Sequence, residues 1–170
     1  MKRAVVPAFA IALALVATDQ ATKALVRASL SLHVEQPVLP GVLVLTNVQN
    51  RGAAFGLFQS STLLLSLVSL GVCVAIVAGR GWWLERGVLT RAAAALIFGG
   101  ALGNLIDRLI LGYVTDFLQF TPTLPLIGRW PAFNVADSAL TIGALLLATT
   151  LARNEPETKE GEAPAEPTVA

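Results

Sequence analysis

The sequence predicts an all-α membrane protein with four transmembrane helices, and its composition is the first reason. Of its 170 residues, 55% are hydrophobic and 14% are charged, whereas soluble domains are usually about 45–50% apolar and about 25% charged. The apolar runs are the second reason, because a bilayer core of about 30 Å needs about 20 helical residues and the chain offers four such runs. We expect one membrane domain over residues 1–153 and a tail over residues 154–170.

The four predicted spans are about Ala4–Ala28, Ser61–Gly79, Ala92–Leu111 and Val135–Leu151. The first also fits a cleaved signal peptide, because a basic start precedes a short apolar run. Asp19 and Lys23, however, lie four residues apart and share one helix face, and small and apolar residues continue around them. We therefore favour an uncleaved first span.

Basic residues predict the orientation through the positive-inside rule. They occur at the start of the chain, between the second and third spans and after the fourth span: Lys2, Arg3, Arg80, Arg86, Arg91 and Arg153. Four spans place all of these positions on one side, so both termini should be cytoplasmic. The loops at about 30–60 and 112–134 then face outward.

The two outer loops differ in composition. The first contains a β-branched run, "GVLVLTNV", which predicts a short strand in a small sheet on the bilayer surface. The second is apolar and aromatic, which suggests that it also follows the membrane surface, and it holds four residues that predict irregular structure: Pro122, Pro125, Gly128 and Pro131.

Several classes of site are disfavoured by composition. Cys73 and His33 are single residues of their kind, so an intrachain disulfide is impossible and a His/Cys metal cluster is improbable. We expect no metal or organic cofactor. The basic residues are scattered, which argues against a nucleic-acid surface. The tail at 154–170 is rich in Glu and Pro and is predicted to be disordered in the cytoplasm.

The third span carries an unusual polar group near its outer end. Gly99 and Gly103 form a small-xxx-small pair that allows close approach of another helix. Asn104, Asp107 and Arg108 share a broad face of the same helix. Ionisable groups at this depth usually face a protein interior or a wet cavity. They predict either a buried network that joins helices or part of a functional site.

Two aspartates flank the link between the third and fourth spans. Asp137 follows Asn134 by three residues, so it fits the first turn of a helix whose N-cap is Asn134. If the two spans are neighbours, Asp116 reaches a similar depth. Two such carboxylates could share one proton, with one acting as a general base on water and the other polarising a peptide carbonyl. The helix N-terminus favours Asp137 as the more readily ionised partner.

Five stretches along the chain carry a family resemblance. They are "DQATK" at Asp19–Lys23, "NRGAAFG" at Asn50–Gly56, "GGALGNLIDR" at Gly99–Arg108, "VTDF" at Val114–Phe117 and "FNVADS" at Phe133–Ser138. In this order, and with four spans, they make the chain resemble the lipoprotein signal peptidases (signal peptidase II), aspartic peptidases of the bacterial inner membrane. The resemblance covers about residues 1–153.

The resemblance implies a fold, an activity and a location. The fold has four transmembrane helices, a small periplasmic β-cradle and a second periplasmic element on the membrane surface. The activity removes the signal peptide from a diacylglyceryl-modified prolipoprotein by cleavage before the lipidated cysteine. The implied partners are that substrate and membrane lipid, without nucleic acid, and the protein is expected to be a monomer. The site lies near the periplasmic face.

The resemblance also assigns residues. Asp116 and Asp137 are the implied catalytic pair. Asp19 and Lys23 are expected to brace the outer end of the first span against the first outer loop. The groups expected to bind substrate or order the site are Asn50, Asn104, Arg108, Asn134, this same pair of Asp19 and Lys23 and, in the motif of Asn104, Gly103. The role of Asp107 is left open.

One alternative comes from a different class. A non-enzymatic four-span membrane protein could use the same polar network only to bind a helix or conduct ions. It predicts that Asp116→Asn leaves function intact or alters conductance, whereas the peptidase hypothesis predicts loss of peptide cleavage.

Overall fold

The computed structural model describes residues 2–52, 61–124 and 128–153. Within these ranges the chain forms five helices and five short strands. The helices are α1 (Lys2–Ser29), α2 (Thr62–Ala78), α3 (Arg80–Leu84), α4 (Val88–Leu111) and α5 (Val135–Arg153). The strands are β1 (Gln36–Leu39), β2 (Leu43–Asn50), β3 (Val114–Phe120), β4 (Thr123–Leu124) and β5 (Gly128–Arg129).

Three helices of the described chain are long and apolar enough to cross a membrane. They are α1 from Pro7 to Ser29, α4 and α5. The predicted second span corresponds to α2, which is apolar but has only 17 residues. At about 1.5 Å per residue such a helix extends about 26 Å, which is short of a hydrocarbon core of about 30 Å. The mostly helical fold is confirmed, and a fourth span stays a prediction.

Helix α4 lies at the centre and packs against α1, α2 and α5. Glycines bring the backbones together, as the small-xxx-small pattern predicts. A Cβ added at Gly99 would lie 3.1 Å from Ala12 O on α1, and one at Gly100 would lie 2.5 Å from Ala136 O on α5. Gly103 faces both neighbours. Because no side chain intervenes, polar groups of α1 and α5 can reach the same point on α4.

Gly103→Ala is expected to destabilise the protein, because the added Cβ would lie 2.7 Å from Asp19 Oδ2 and 3.3 Å from Ala136 Cβ. Overpacking of this kind typically costs about 1–3 kcal/mol. The matched control is Gly71→Ala on α2, where an added Cβ meets nothing within 4 Å. That change should be neutral or stabilise by up to about 1 kcal/mol. Thermal unfolding in detergent measures both, and equal melting temperatures would contradict the packing argument.

The strands β1, β2 and β3 form one antiparallel sheet in that order. The strand predicted from "GVLVLTNV" is present as β2. Strand β3, which pairs with β2 and places Asp116 opposite Val48, was not predicted from the sequence. This strand precedes the four residues that are expected to break regular structure, and it is favoured by the β-branched and aromatic residues that make up four of its seven positions. Gly112, with φ of 77°, ends α4 in a left-handed turn just before this strand.

Two predicted features lie outside the described residues. One is the part of the matched stretch at Ala53–Gly56, and the other is the acidic tail at 154–170. The predicted disorder of that tail and the domain boundary at residue 153 stay predictions.

Candidate active site

Asp116 lies on β3 and is almost completely buried, with 2% of its surface exposed. Its two carboxylate oxygens accept hydrogen bonds from different elements. Asn50 Nδ2, at the end of β2, donates to Oδ2 at 2.8 Å. Asn134 Nδ2, just before α5, donates to Oδ1 at 2.7 Å. The antiparallel pairing of β2 with β3 therefore holds one side of the carboxylate, and the start of α5 holds the other.

Asp137 lies in the first turn of α5 and forms a reciprocal cap with Asn134. The Asp137 N–H donates to Asn134 Oδ1 at 2.8 Å, and the Asn134 N–H donates to Asp137 Oδ2 at 3.2 Å. The positions of Asn134 as N-cap and of Asp137 in the first turn are those that the sequence predicts, and the hydrogen bond from the Asn134 N–H makes the cap reciprocal. The other carboxylate oxygen accepts from Asn104 Nδ2 on α4 at 2.7 Å. Helix capping thus explains the hydrogen bond at Oδ2 of Asp137, while Oδ1 faces Asn104 on α4.

Asn134 joins the two aspartates. It is fully buried, and its side-chain NH₂ lies within hydrogen-bonding distance of three acceptors. Asp116 Oδ1 is at 2.7 Å, Asn104 Oδ1 at 3.1 Å and Thr115 O at 3.4 Å. The structure therefore brings Asp116 and Asp137 together around one amide side chain.

Both aspartates line a groove with a volume of about 580 Å³. This volume is typical of sites that bind small molecules or peptide segments. Polar groups lie on one part of the wall and apolar groups on the rest; the lining includes Asn50, Arg108, Asp116, Asp137, Phe120, Trp130, Phe133, Leu140 and Ile142. The arrangement offers a polar centre within an apolar wall.

Arg108 reaches the groove from α4. One of its N–H groups donates to Ser69 Oγ on α2 at 3.4 Å. Its guanidinium has five N–H donors in total, so it has capacity to bind a carbonyl oxygen in the groove. Asn104 and Arg108 share the face predicted for them, but Asn104 contacts Asp137 directly whereas Arg108 lines the open part of the site.

Asp19 and Lys23 lie at the buried centre of the helices. Lys23 Nζ is 2.8 Å from Asp19 Oδ2, 3.4 Å from Asp107 Oδ2 and 2.9 Å from Asn104 Oδ1. Asp19 Oδ1 accepts the N–H of Ala136, in the first turn of α5, at 2.9 Å. The expectation that this pair braces α1 against the first outer loop is therefore wrong, because its partners lie on α4 and α5. Gly103 leaves the space that Asp19 occupies.

Sequence reasoning missed three contributors. Gln20 Nε2 donates to Gly103 O at 3.0 Å and to Asp107 Oδ1 at 3.1 Å. The Thr115 N–H donates to Asp107 Oδ2 at 2.9 Å, and Arg27 Nη1 donates to Thr115 Oγ1 at 2.9 Å. Gln20 and Thr115 stand inside matched stretches beside Asp19 and Asp116, and that adjacency is the signal that could have found them. Arg27 has no comparable signal.

Burial is the main reason that the pKa of Asp116 rises from 3.8 to about 7. The negative charge of Asp137 raises it further, and the hydrogen bonds from Asn50 and Asn134 oppose the rise. Because the charge of Asp137 contributes to this rise, the ionisation of Asp116 is coupled to that of Asp137. In the described part of the chain, no cluster of three His, Cys, Asp or Glu residues could hold a metal ion.

The raised pKa of Asp116 predicts a pH-dependent stability. The unfolded value is near 3.9 and the folded value about 7, so between these values the folded state binds more protons. The contribution of this group is present at low pH and is lost as pH rises through about 7. Asp116→Asn removes this dependence, so its melting temperature relative to wild type should increase from pH 5 to pH 8. The exposed acid variant Glu35→Gln serves as control, and a parallel pH course for Asp116→Asn and wild type would contradict the prediction.

The fold and the site define a helical membrane protein with two aspartates held in one groove, and the comparisons with known proteins agree. The family described as Signal peptidase (SPase) II matches residues 11–153. A lipoprotein signal peptidase of Geobacter sulfurreducens is 42% identical over 153 residues, covering 86% of this chain and 91% of that protein. One from Pseudomonas aeruginosa is 39% identical over 155 residues, covering 85% of each.

Solved structures agree as well. One described as a bacterial membrane enzyme superposes with a TM-score of 0.79 at 30% identity, covering 92% of this chain and 94% of that chain. A second of the same description has a TM-score of 0.77 at 30% identity, covering 87% and 94%. The chain belongs to the signal peptidase II family, and the resemblance predicted from the five stretches is confirmed.

Proposed function

We propose that this protein is an aspartic endopeptidase that removes the signal peptide from diacylglyceryl-modified prolipoproteins, cleaving before the lipidated cysteine. The observation that carries the proposal is the placement of Asp116 and Asp137 in one groove, joined through Asn134. Membership of a peptidase family supports it, and the relatives named above are lipoprotein signal peptidases.

The two aspartates divide the chemistry of peptide hydrolysis. Asp137 carries the negative charge, because it lies at the N-terminus of α5 and accepts two N–H donors. It takes a proton from a water molecule, whose oxygen bonds to the scissile carbonyl carbon. Asp116, with a pKa of about 7, carries the proton and donates it to the carbonyl oxygen. The carbon–nitrogen bond then breaks, and the cysteine amine leaves with the proton that Asp137 had taken. One hydroxyl proton of the tetrahedral intermediate returns to Asp116, which leaves the carboxylic acid product and restores the starting protonation of both aspartates.

The remaining site residues bind and order. Asn50 and Asn134 hold Asp116, and Asn104 holds Asp137. Arg108 binds a backbone carbonyl of the substrate through its remaining N–H donors. Phe120 and Ile142, on the apolar wall, face the hydrophobic signal peptide and the acyl chains. Neither the attack of water on the carbonyl carbon nor the breaking of the carbon–nitrogen bond requires a metal or an organic cofactor.

The orientation follows from the charges and aromatic residues at the other end of the helices. We propose four spans, α2 included, with both termini in the cytoplasm and the three-stranded sheet at the periplasmic face of the inner membrane. Arg86 lies 4.3 Å from the ring centroid of Trp82, and this Arg/Trp group beside α3 suits the cytoplasmic interface. The lipidated substrate reaches the groove laterally from the bilayer, and a monomer is sufficient for this reaction.

The test uses purified protein in lipid with two versions of one prolipoprotein, with and without the diacylglyceryl group. We expect cleavage of the modified version, with the modified cysteine as the new N-terminus by mass spectrometry, and little cleavage of the other. Cleavage at a different bond would refute the proposed position. No cleavage of the modified substrate by folded protein would favour the non-enzymatic polar network.

A further inference from the structure

Lys23 is a buried cation that the proposed reaction does not use directly. Its side chain has no exposed surface. A lysine ammonium has three N–H donors, and three acceptors surround this one: Asp19 Oδ2, Asp107 Oδ2 and Asn104 Oδ1. Each of these three partners makes a further contact beside one of the two aspartates.

The first route passes through Asn104. Its Oδ1 accepts from Lys23 and from Asn134. Because donors occupy that oxygen, the amide is held with its Nδ2 towards Asp137, where it donates at 2.7 Å. A flipped amide would place an NH₂ group against the ammonium. Lys23 therefore fixes which atom of Asn104 faces Asp137.

The second route passes through Asp107 to β3. Asp107 Oδ2 lies 3.4 Å from Lys23 Nζ and accepts the N–H of Thr115 at 2.9 Å. Thr115 directly precedes Asp116. Its carbonyl oxygen lies near Asn134 Nδ2 at 3.4 Å. This route attaches the backbone of the catalytic strand to α1 and gives Asp107 a role that the sequence left open.

The third route passes through Asp19 to α5. Asp19 binds Lys23 with Oδ2 and accepts the N–H of Ala136 with Oδ1. Ala136 directly precedes Asp137, so this bond satisfies one of the N–H groups that a helix start leaves unpaired. The position of the first turn of α5 relative to α1 depends on it.

We propose that Lys23 is a positioning residue for the aspartate pair, whose ammonium fixes the partners of both carboxylates and supplies the positive charge that sets the pH range of cleavage. This inference rests on the proposed peptidase function and deepens it. Replacing Lys23 removes one cation from a group with two carboxylates, so its net charge changes from minus one to minus two. The charge of Lys23 also opposes the burial that raises the pKa of Asp116.

Other charged groups face this region from every packed element. They are Asp19 and Arg27 on α1, Asp107 and Arg108 on α4, Asp116 on β3 and Asp137 on α5. The two other cations in this set are Arg27 and Arg108, whereas the cation in contact with Asp19 and Asp107 is Lys23. A role limited to holding the helices together would lower activity equally at all pH values, whereas the proposed role moves the pH profile.

The experiment measures the pH profile of cleavage, in lipid, with the diacylglyceryl-modified prolipoprotein and five forms of the protein. Lys23→Met should move the profile to higher pH by about one unit, because an opposing charge near the pair is lost. Asp19→Asn removes a carboxylate and should move it to lower pH. The double variant Lys23→Met/Asp19→Asn restores the net charge of the buried group, so its pH profile should return towards that of wild type.

Arg80→Met is the control, since this exposed cation follows α2 at the far end of the molecule and donates to Val77 O. It should leave the profile unchanged. If Lys23→Met does not fold, Asp19→Asn and the double variant still decide the question, because their profiles are expected to differ. Folded variants that lose activity without any change of profile would overturn the inference while wild-type cleavage upheld the peptidase. Wild-type protein that does not cleave would remove the proposed function and this inference with it.

Discussion

Asp116→Asn and Asp137→Asn are each expected to abolish cleavage of a lipidated prolipoprotein, with a loss of at least about 10³-fold. Asparagine preserves the shape of the side chain but cannot take a proton from water or carry the shared acidic proton. General acid and base groups each contribute about 10²–10⁴-fold. Cleavage is followed by gel shift of the substrate, and thermal unfolding establishes that both variants fold.

The matched control for this pair is Glu35→Gln. Glu35 is an exposed acid that binds Arg129 at 2.8 Å. Its replacement removes an exposed carboxylate that does not line the groove, so cleavage should remain at the wild-type rate. Robust cleavage by either folded aspartate variant would show that the pair is misassigned, and Asp107 would then be the next carboxylate to replace.

Replacement of Asn134 should produce the second largest effect, because this residue contacts both aspartates. Asn134→Ala removes the N-cap of α5, which typically costs about 0.5–2 kcal/mol. It also removes the donor to Asp116 Oδ1 at 2.7 Å. We expect cleavage to fall by about 10²-fold or more, on the scale of a lost general acid or base, and the melting temperature to fall as well.

Asn134→Ser separates these two effects. A serine hydroxyl can accept the N–H of Asp137 and cap α5, but it does not reproduce the amide that donates to Asp116. We expect its melting temperature to lie closer to wild type than that of the alanine variant, while cleavage falls to a similar extent. Near-normal cleavage by the serine variant would show that the bond to Asp116 is dispensable.

The sequence predicts local features of this molecule well. Apolar runs locate the helices because their lengths are set by the bilayer. The spacing of Asn134 and Asp137 predicts an N-cap and an acid in the first turn of a helix, since both depend only on residues within three positions of each other. Gly99 and Gly103 predict close approach of another helix, since this pattern also depends only on residues a few positions apart. Each of these signals is contained within one helix.

The features that the sequence could not provide depend on distant parts of the chain. Lys23 contacts Asn104 across 81 residues, and Arg27 contacts Thr115 across 88. A helical face can be deduced from periodicity, but the helix that it meets cannot. This is why the partners of Asp19 and Lys23 were assigned to the wrong element. Strand β3 was missed because its partner β2 precedes it in the chain by three helices, α2, α3 and α4.

The side-chain NH₂ of Asn134 has two hydrogens but three acceptors within hydrogen-bonding distance. One of the three acceptors is therefore available for a hydrogen that loses its first partner. In the proposed reaction Asp116 donates to a scissile carbonyl, and the Asn134 hydrogen that it no longer accepts has Asn104 Oδ1 and Thr115 O at 3.1 and 3.4 Å as other acceptors. No buried donor is then left without a partner, and the usual penalty for such a group, about 1–3 kcal/mol, is avoided. The proposed acid can therefore exchange its hydrogen-bond partners without leaving the buried amide of Asn134 unpaired.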